Sequence, residues 1–177
     1  MTDNYDTTNP SAAASSTSGT IIPVDEITST LHGLIETCKD GQEGFKTAAE
    51  SVKNPSLQST FRELAEQRAQ FAGELATLVS SLGGDPENYG SIAGTLHRGW
   101  LNIKAAVTGG DEAAILDECE RGEDAAKDAY RSALDRALPN DIKDIVRRQC
   151  NSVLDAHRKI KSLRDSANNM SNTASAS

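Results

Sequence analysis

An all-α fold, a bundle of antiparallel helices, is predicted for this chain by three observations. Apolar residues recur at alternating steps of four and three over long stretches, the spacing of a buried helix seam. Aromatic residues are only 4% of the 177 residues, and few runs of Val, Ile or Thr suggest strands. The stretches also fall into pairs separated by very short turns, which makes the members of a pair antiparallel neighbours.

The first seam is Ile27, Leu31, Leu34, Cys38, Gly41, Phe45, Ala48 and Val52, with Asp25 as the expected N-cap. The second is Leu57, Phe61, Leu64, Arg68, Phe71, Leu75, Leu78 and Leu82, started by Ser56 and stopped by Gly83-Gly84. Only Asn54-Pro55 separates them. Antiparallel pairing then sets Ile27 against Leu82, Leu34 against Leu75, Phe45 against Leu64 and Gly41 against Arg68. A glycine inside a helix costs about 1 kcal/mol relative to alanine, so Gly41 is read as making space for the arginine.

A second hairpin follows. Ile115, Cys119, Gly122, Ala126, Ala129, Ala133 and Ala137 form one seam, capped by Asp111 and ended by Leu138-Pro139. Ile142, Val146, Cys150, Val153, His157 and Ile160 form the other, with Asn140 or Asp141 as N-cap. A turn at Pro139-Asn140 sets Gly122 against His157. Residues 36–51 can be laid on 117–132 with matching Cys, Gly, Lys, Ala and Ser, so either a duplicated hairpin or chance likeness of two alanine-rich helices accounts for the repeat. Between the hairpins, Ile92, Leu96, Trp100, Ile103 and Val107 read as a shorter helix in a crossover, with Trp100 closing one side of the bundle; His97 lies in the same segment. Two hairpins joined by a long connection make a ferritin-like four-helix bundle.

Residues 1–22 and 166–177 are poor in large apolar residues and are expected to be disordered tails around a bundle at 23–165. No export signal is visible, and no stretch approaches the roughly 20 apolar residues that cross a bilayer. A net charge of -8 without a segregated basic patch opposes nucleic-acid binding. Cys38, Cys119 and Cys150 contain no CxxC pair, which fits reduced, buried thiols in a cytoplasmic protein. Cys38 and Cys119 share a seam position and are expected near each other. Phosphate-loop, dinucleotide and nucleophile-elbow motifs are absent.

A di-iron carboxylate bundle takes a Glu from each of two helices and Glu-x-x-His from each of the other two. The equivalent inward pairs here are Ala65 with Arg68 and Leu154 with His157, and the flanking inward positions are Gln42 and Glu123, with Glu43 and Asp124 one step round. The expected central polar layer is therefore Gln42, Arg68, Glu123 and His157. Arg68 either forms a buried ion pair with Glu123 in place of the metals or snorkels to solvent. His157 is a metal ligand, a pH-sensitive member of the layer or a satisfied core histidine. No catalytic residue and no cofactor are expected; iron or manganese is the alternative, through Glu123, His157, Glu43 and Asp124. Glu36, Asp40, Glu50, Glu63, Glu66, Glu74 and Glu118 lie mostly off the seams and read as solvated faces. A small ligand beside Gly122, Ala126, Ala129 and Ala133, or in the crossover, is a further alternative to dense packing.

At LIETCKDGQEGFKTAAE, ELAEQRAQFAGEL, HRGWLNIKAAVTGGDEAAIL and ECERGEDAAKDAY the chain resembles a family of bacterial ferritin-like four-helix-bundle proteins catalogued as a domain of unknown function. The resemblance covers about residues 25–165 and implies a fold related to ferritins and rubrerythrins, with a loose suggestion of stress physiology. From rubrerythrin-like relatives, metal roles pass only to the matching positions Glu123 and His157; Ala65, Arg68 and Leu154 depart from the pattern. The expected function is that of a non-enzymatic bundle acting through its acidic surface or by self-association as a homo-oligomer. The alternative is a metal-dependent oxidoreductase or iron-handling protein.

Overall fold

The computed structural model describes residues 22–87, 100, 103–109 and 111–174, the last five through the backbone alone. Five helices make up the described chain: α1 (Val24–Ser51), α2 (Pro55–Ser81), α3 (Ile103–Gly109), α4 (Glu112–Leu134) and α5 (Asn140–Ala174). No strand occurs among the described residues. The expected N-terminal tail up to residue 21, and Ile92, Leu96 and His97 of the crossover, lie outside them.

Local chemistry sets the helix ends. Asn54 caps α2 by accepting from the Ser56 and Leu57 amides, and Pro55 occupies the first turn, where its missing N–H costs nothing. Gly83 ends α2 at φ 81°, with Gly83 N–H on Ser80 O and Gly84 N–H on Val79 O. Those two bonds form a Schellman motif, which satisfies carbonyls the helix cannot. Asp111 caps α4 through the Ala113 amide. Asp25 does not cap α1: the helix starts at Val24, two residues earlier than that cap would set, with Pro23 at the N-cap and no side-chain cap. Proline has no side-chain oxygen to accept from the first-turn amides, and the Glu26 and Ile27 amides donate instead to the Pro23 carbonyl.

All eight residues of the α1 seam are buried. On α2 the seam is buried as far as Leu75, after which Val79 takes the inward place and Leu78 and Leu82 are half-buried. This is the drift of a 3.6-residue helix away from a strict 3.5 repeat. α4 ends at Leu134, so Ala137 is exposed in the turn and Leu138 is the buried residue there. α5 continues as helix through 166–174, where a disordered tail is expected. Adding a residue to an existing helix costs little, and Ala167 packs against the core, which gives the extension an anchor.

The hairpins α1–α2 and α4–α5 pack with α1 against α4. At one end Glu112 of α4 accepts from the Lys53 and Asn54 amides of the α1–α2 turn, each at 2.9 Å; at the other Arg136 pairs with Glu26 of α1 at 3.3 Å. α1 and α4 are therefore antiparallel. Glu74 with Arg148 (2.9 Å) and Glu63 with Lys159 (3.7 Å) show the same of α2 and α5. It follows that α2 and α4 run parallel across the diagonal. Two apolar clusters fill the bundle, one around Leu31, Leu75, Tyr130 and Val146, the other around Phe45, Phe61, Ile115 and Ile160.

The crossover meets the bundle at Trp100. Its indole lies where a Cβ on Gly44 of α1 or Gly122 of α4 would come within 2.2 Å of it, and it packs edge-on against Phe45 with ring centroids 5.0 Å apart. Gly122 therefore makes room for Trp100, not for His157. Gly41 does face Arg68, but an alanine Cβ there would sit in ordinary contact at 3.4 Å. Within the helices, the steric demand for glycine is at Gly44 and Gly122. Gly44→Ala and Gly122→Ala should each lower stability, since overpacking of about 1–3 kcal/mol exceeds a helix-propensity gain of about 1 kcal/mol. Urea unfolding should register the loss, and the emission of Trp100, the chain's one tryptophan, should shift to the red. Gly73→Ala, with nothing within 4 Å of its Cβ, should stabilise by up to about 1 kcal/mol.

Candidate functional site

Among the described residues, one charged pair lies in the middle of the bundle, between the two apolar clusters. Arg68 of α2 donates from one terminal nitrogen to both carboxylate oxygens of Glu123 on α4, each at 2.7 Å, and both side chains are 1% exposed. The pair spans the diagonal, so it can lie only on the bundle axis. Arg68 also donates to Gln67 Oε1 at 2.7 Å and lies 5.8 Å from the Phe71 ring centroid, within cation–π range. Its Nε has no hydrogen-bond partner among the described residues. Burial works against both charges. It pushes the Glu123 carboxyl upward against the pull of Arg68, while Glu123 more than offsets burial at the guanidinium and holds its proton tightly.

A neutral network lies alongside. Tyr130 of α4 donates to Gln149 Oε1 on α5 at 2.8 Å and lies 3.1 Å from Cys38 Sγ on α1. Gln149 donates onward to Glu74 of α2 at 2.7 Å, and Arg148 holds Glu74 from solvent at 2.9 Å. All four bundle helices are thus joined by polar contacts. Glu74, expected on a solvated face, is the outer end of this chain. Glu118, expected likewise, is 3% exposed and pairs with Arg121 at 2.8 Å. Seam spacing alone does not reveal Tyr130 or Gln149: Tyr130 lies one step from Ala129 of the α4 seam, and Gln149 one step from Cys150.

The other candidates separate from the central pair. Gln42 is half-buried and lines a groove between α1 and α2 with Lys46, Arg62 and Glu66. Glu43 is exposed beside Trp100 and Lys104 in a groove between α1 and α3. His157 places Nε2 2.9 Å from Asp124 Oδ1, and Lys127 approaches the same oxygen. Asp124 is pushed up by burial and pulled lower still by Lys127 and His157, so that it is held as a carboxylate. Glu120, overlooked in the sequence, lies beside them and is 8% exposed. Ala126 and Ala133 are packed in the first cluster, with Ala129 against it. Cys38 and Cys119 fall in different clusters, because α1 and α4 run in opposite directions.

Removing Glu123 alone, as Glu123→Leu, should cost about 3–5 kcal/mol by leaving a buried guanidinium without its counter-charge. The double variant Arg68→Met/Glu123→Leu should recover most of that loss in urea unfolding. Burial pushes the Cys38 thiol up to about 11, against the Tyr130 hydrogen bond, and raises Cys119 and Cys150 as well. At pH 8 roughly one Cys38 in a thousand is then a thiolate. A disulfide thiol reagent should find none of the three free cysteines in the folded protein and all of them in denaturant. Rapid labelling of the native chain would contradict this.

No curated protein matches the sequence. The profile of a family described as "Domain of unknown function (DUF2383)" matches residues 26–136, from the first turn of α1 to just beyond α4. That span includes Arg68, Glu123, Tyr130 and the glycines around Trp100, and the chain belongs to the DUF2383 family.

Proposed function

We propose that this protein is a non-enzymatic, ferritin-like bundle whose interior holds an ion pair where a dinuclear metal centre would sit, and that it acts through its acidic surface or by self-association. The observation that carries this reading is the Arg68–Glu123 pair on the bundle axis. An iron or manganese pair needs several anionic oxygens around it. At the matching positions here stand Ala65, Arg68 and Leu154, which offer none, and the Glu123 carboxylate is already engaged by a cation that cannot be deprotonated. The residues present do not fit two metals.

The helix directions support the ferritin-like part: two antiparallel hairpins joined by a long crossover, so that the second and third long helices run parallel. A place in stress physiology rests on the family resemblance alone. With the core closed by charge and packing, recognition falls to the outside, where the net charge of -8 favours basic partners and disfavours nucleic acid.

Full-length protein purified without chelator and supplied with ferrous iron in air should oxidise it no faster than buffer does. Saturable oxidation, or two ions held per chain, lost in Glu123→Gln, would overturn the reading.

A further inference from the structure

Away from the axis, one turn of α4 and a facing residue of α5 bring together a mixed nitrogen and oxygen donor set. Glu120 and Asp124, four residues apart, lie on one side of α4, and His157 approaches from α5. One ligand atom from each lies within 4.8 Å of the others, and His157 Nε2 points into the group at 2.9 Å from Asp124 Oδ1. The two carboxylates are already served by cations: Lys127 on Asp124 and Arg164 on Glu120. Arg164 has Asp165 at 2.6 Å and Asp117 at 3.8 Å as well, so it keeps counter-charges if it leaves Glu120. The His157 and Arg164 side chains are 15% and 25% exposed, which places the group at the rim of the α4–α5 interface, within reach of solvent ions.

We propose that Glu120, Asp124 and His157 form a mononuclear site for a divalent transition ion of the zinc class, separate from the bundle axis. One imidazole and two carboxylates suit zinc, cobalt or nickel better than magnesium or calcium, which prefer oxygen alone. Three protein ligands leave room for water, as in open zinc sites. Bonds of about 2.1 Å at tetrahedral angles put donor atoms roughly 3.4 Å apart. The group must therefore contract, and Asp124, nearly half exposed, is free to turn. In the loaded site Lys127 and Arg164 give way to the ion, and His157 carries its proton on Nδ1 so that Nε2 can ligate. The ion would tie α4 to α5 without touching Arg68 or Glu123.

The test is titration of cobalt and zinc into chelator-treated, full-length protein, followed by calorimetry, the visible cobalt spectrum and thermal unfolding. One ion per chain is expected, with cobalt bands and a rise in Tm. Asp124→Asn and His157→Gln should each weaken binding by roughly tenfold or more, judged against the loss that even outer-shell changes cause. Arg164→Gln should tighten it, since it removes a competing cation. Arg68→Met/Glu123→Leu should still take up one ion per chain. No uptake, or uptake indifferent to Asp124→Asn and His157→Gln, would overturn this site and leave the proposed function standing. Two ions per chain, lost with Glu123, would overturn both.

Discussion

The contact between Arg68 and Glu123 sets the terms for the rest of the molecule. A guanidinium and a carboxylate taken fully out of water cost several kcal/mol each, and their attraction repays that only with close geometry. Here the geometry is two contacts of 2.7 Å across the bundle diagonal. That fixes the rotation of α2 and α4 about their axes, because a turn of either helix would swing its charge off the bundle axis and away from its partner. Gly41 of α1 faces the arginine stem, where an added Cβ would lie 3.4 Å away, and the Phe71 ring on α2 itself lies beneath the guanidinium.

A buried charge pair also needs polar company that does not compete with it. The Cys38–Tyr130–Gln149–Glu74 chain meets that need with neutral groups inside and a charged group only at the surface. Each inner member has a partner, so little desolvation is left uncompensated. Burial in the same low-dielectric interior raises all three thiols, so the packing holds the cysteines in their protonated form. Outside, the crossover presses Trp100 between α1 and α4, and two glycines on facing helices accept it.

Legibility in the sequence followed how strongly one rule dominated at each place. The α1 seam was readable throughout because apolar spacing alone decides it, and Arg68 and Glu123 stood out as charges at inward positions. The α4–α5 register was also readable: a turn at Pro139-Asn140 sets Tyr130 opposite Gln149, and that contact exists. Most of the α4 seam was readable too, with Ile115, Cys119, Gly122, Ala126 and Ala133 buried, but near its end Tyr130 turns inward in place of Ala129. The neighbour of Gly122 was not readable, because Trp100 comes from the crossover, whose course helix spacing does not set. The offset that lays Cys38 on Cys119 also lays Arg68 on Gln149, a signal that would have pointed to the second buried polar residue. The helical end of α5 was illegible from composition, since its polar residues are carried by the helix before them and by Ala167.

The diagonal course of the ion pair has a bearing on how the chain can be divided. Arg68 belongs to the first hairpin and Glu123 to the second, so neither hairpin alone contains both charges. An isolated α1–α2 unit would expose or bury a lone guanidinium, and an isolated α4–α5 unit a lone carboxylate. The hairpins are thus halves of one cooperative body, not modules. Two chains exchanging a hairpin would keep every such pair intact, whereas a chain cut in the crossover would have to find its other half to regain it.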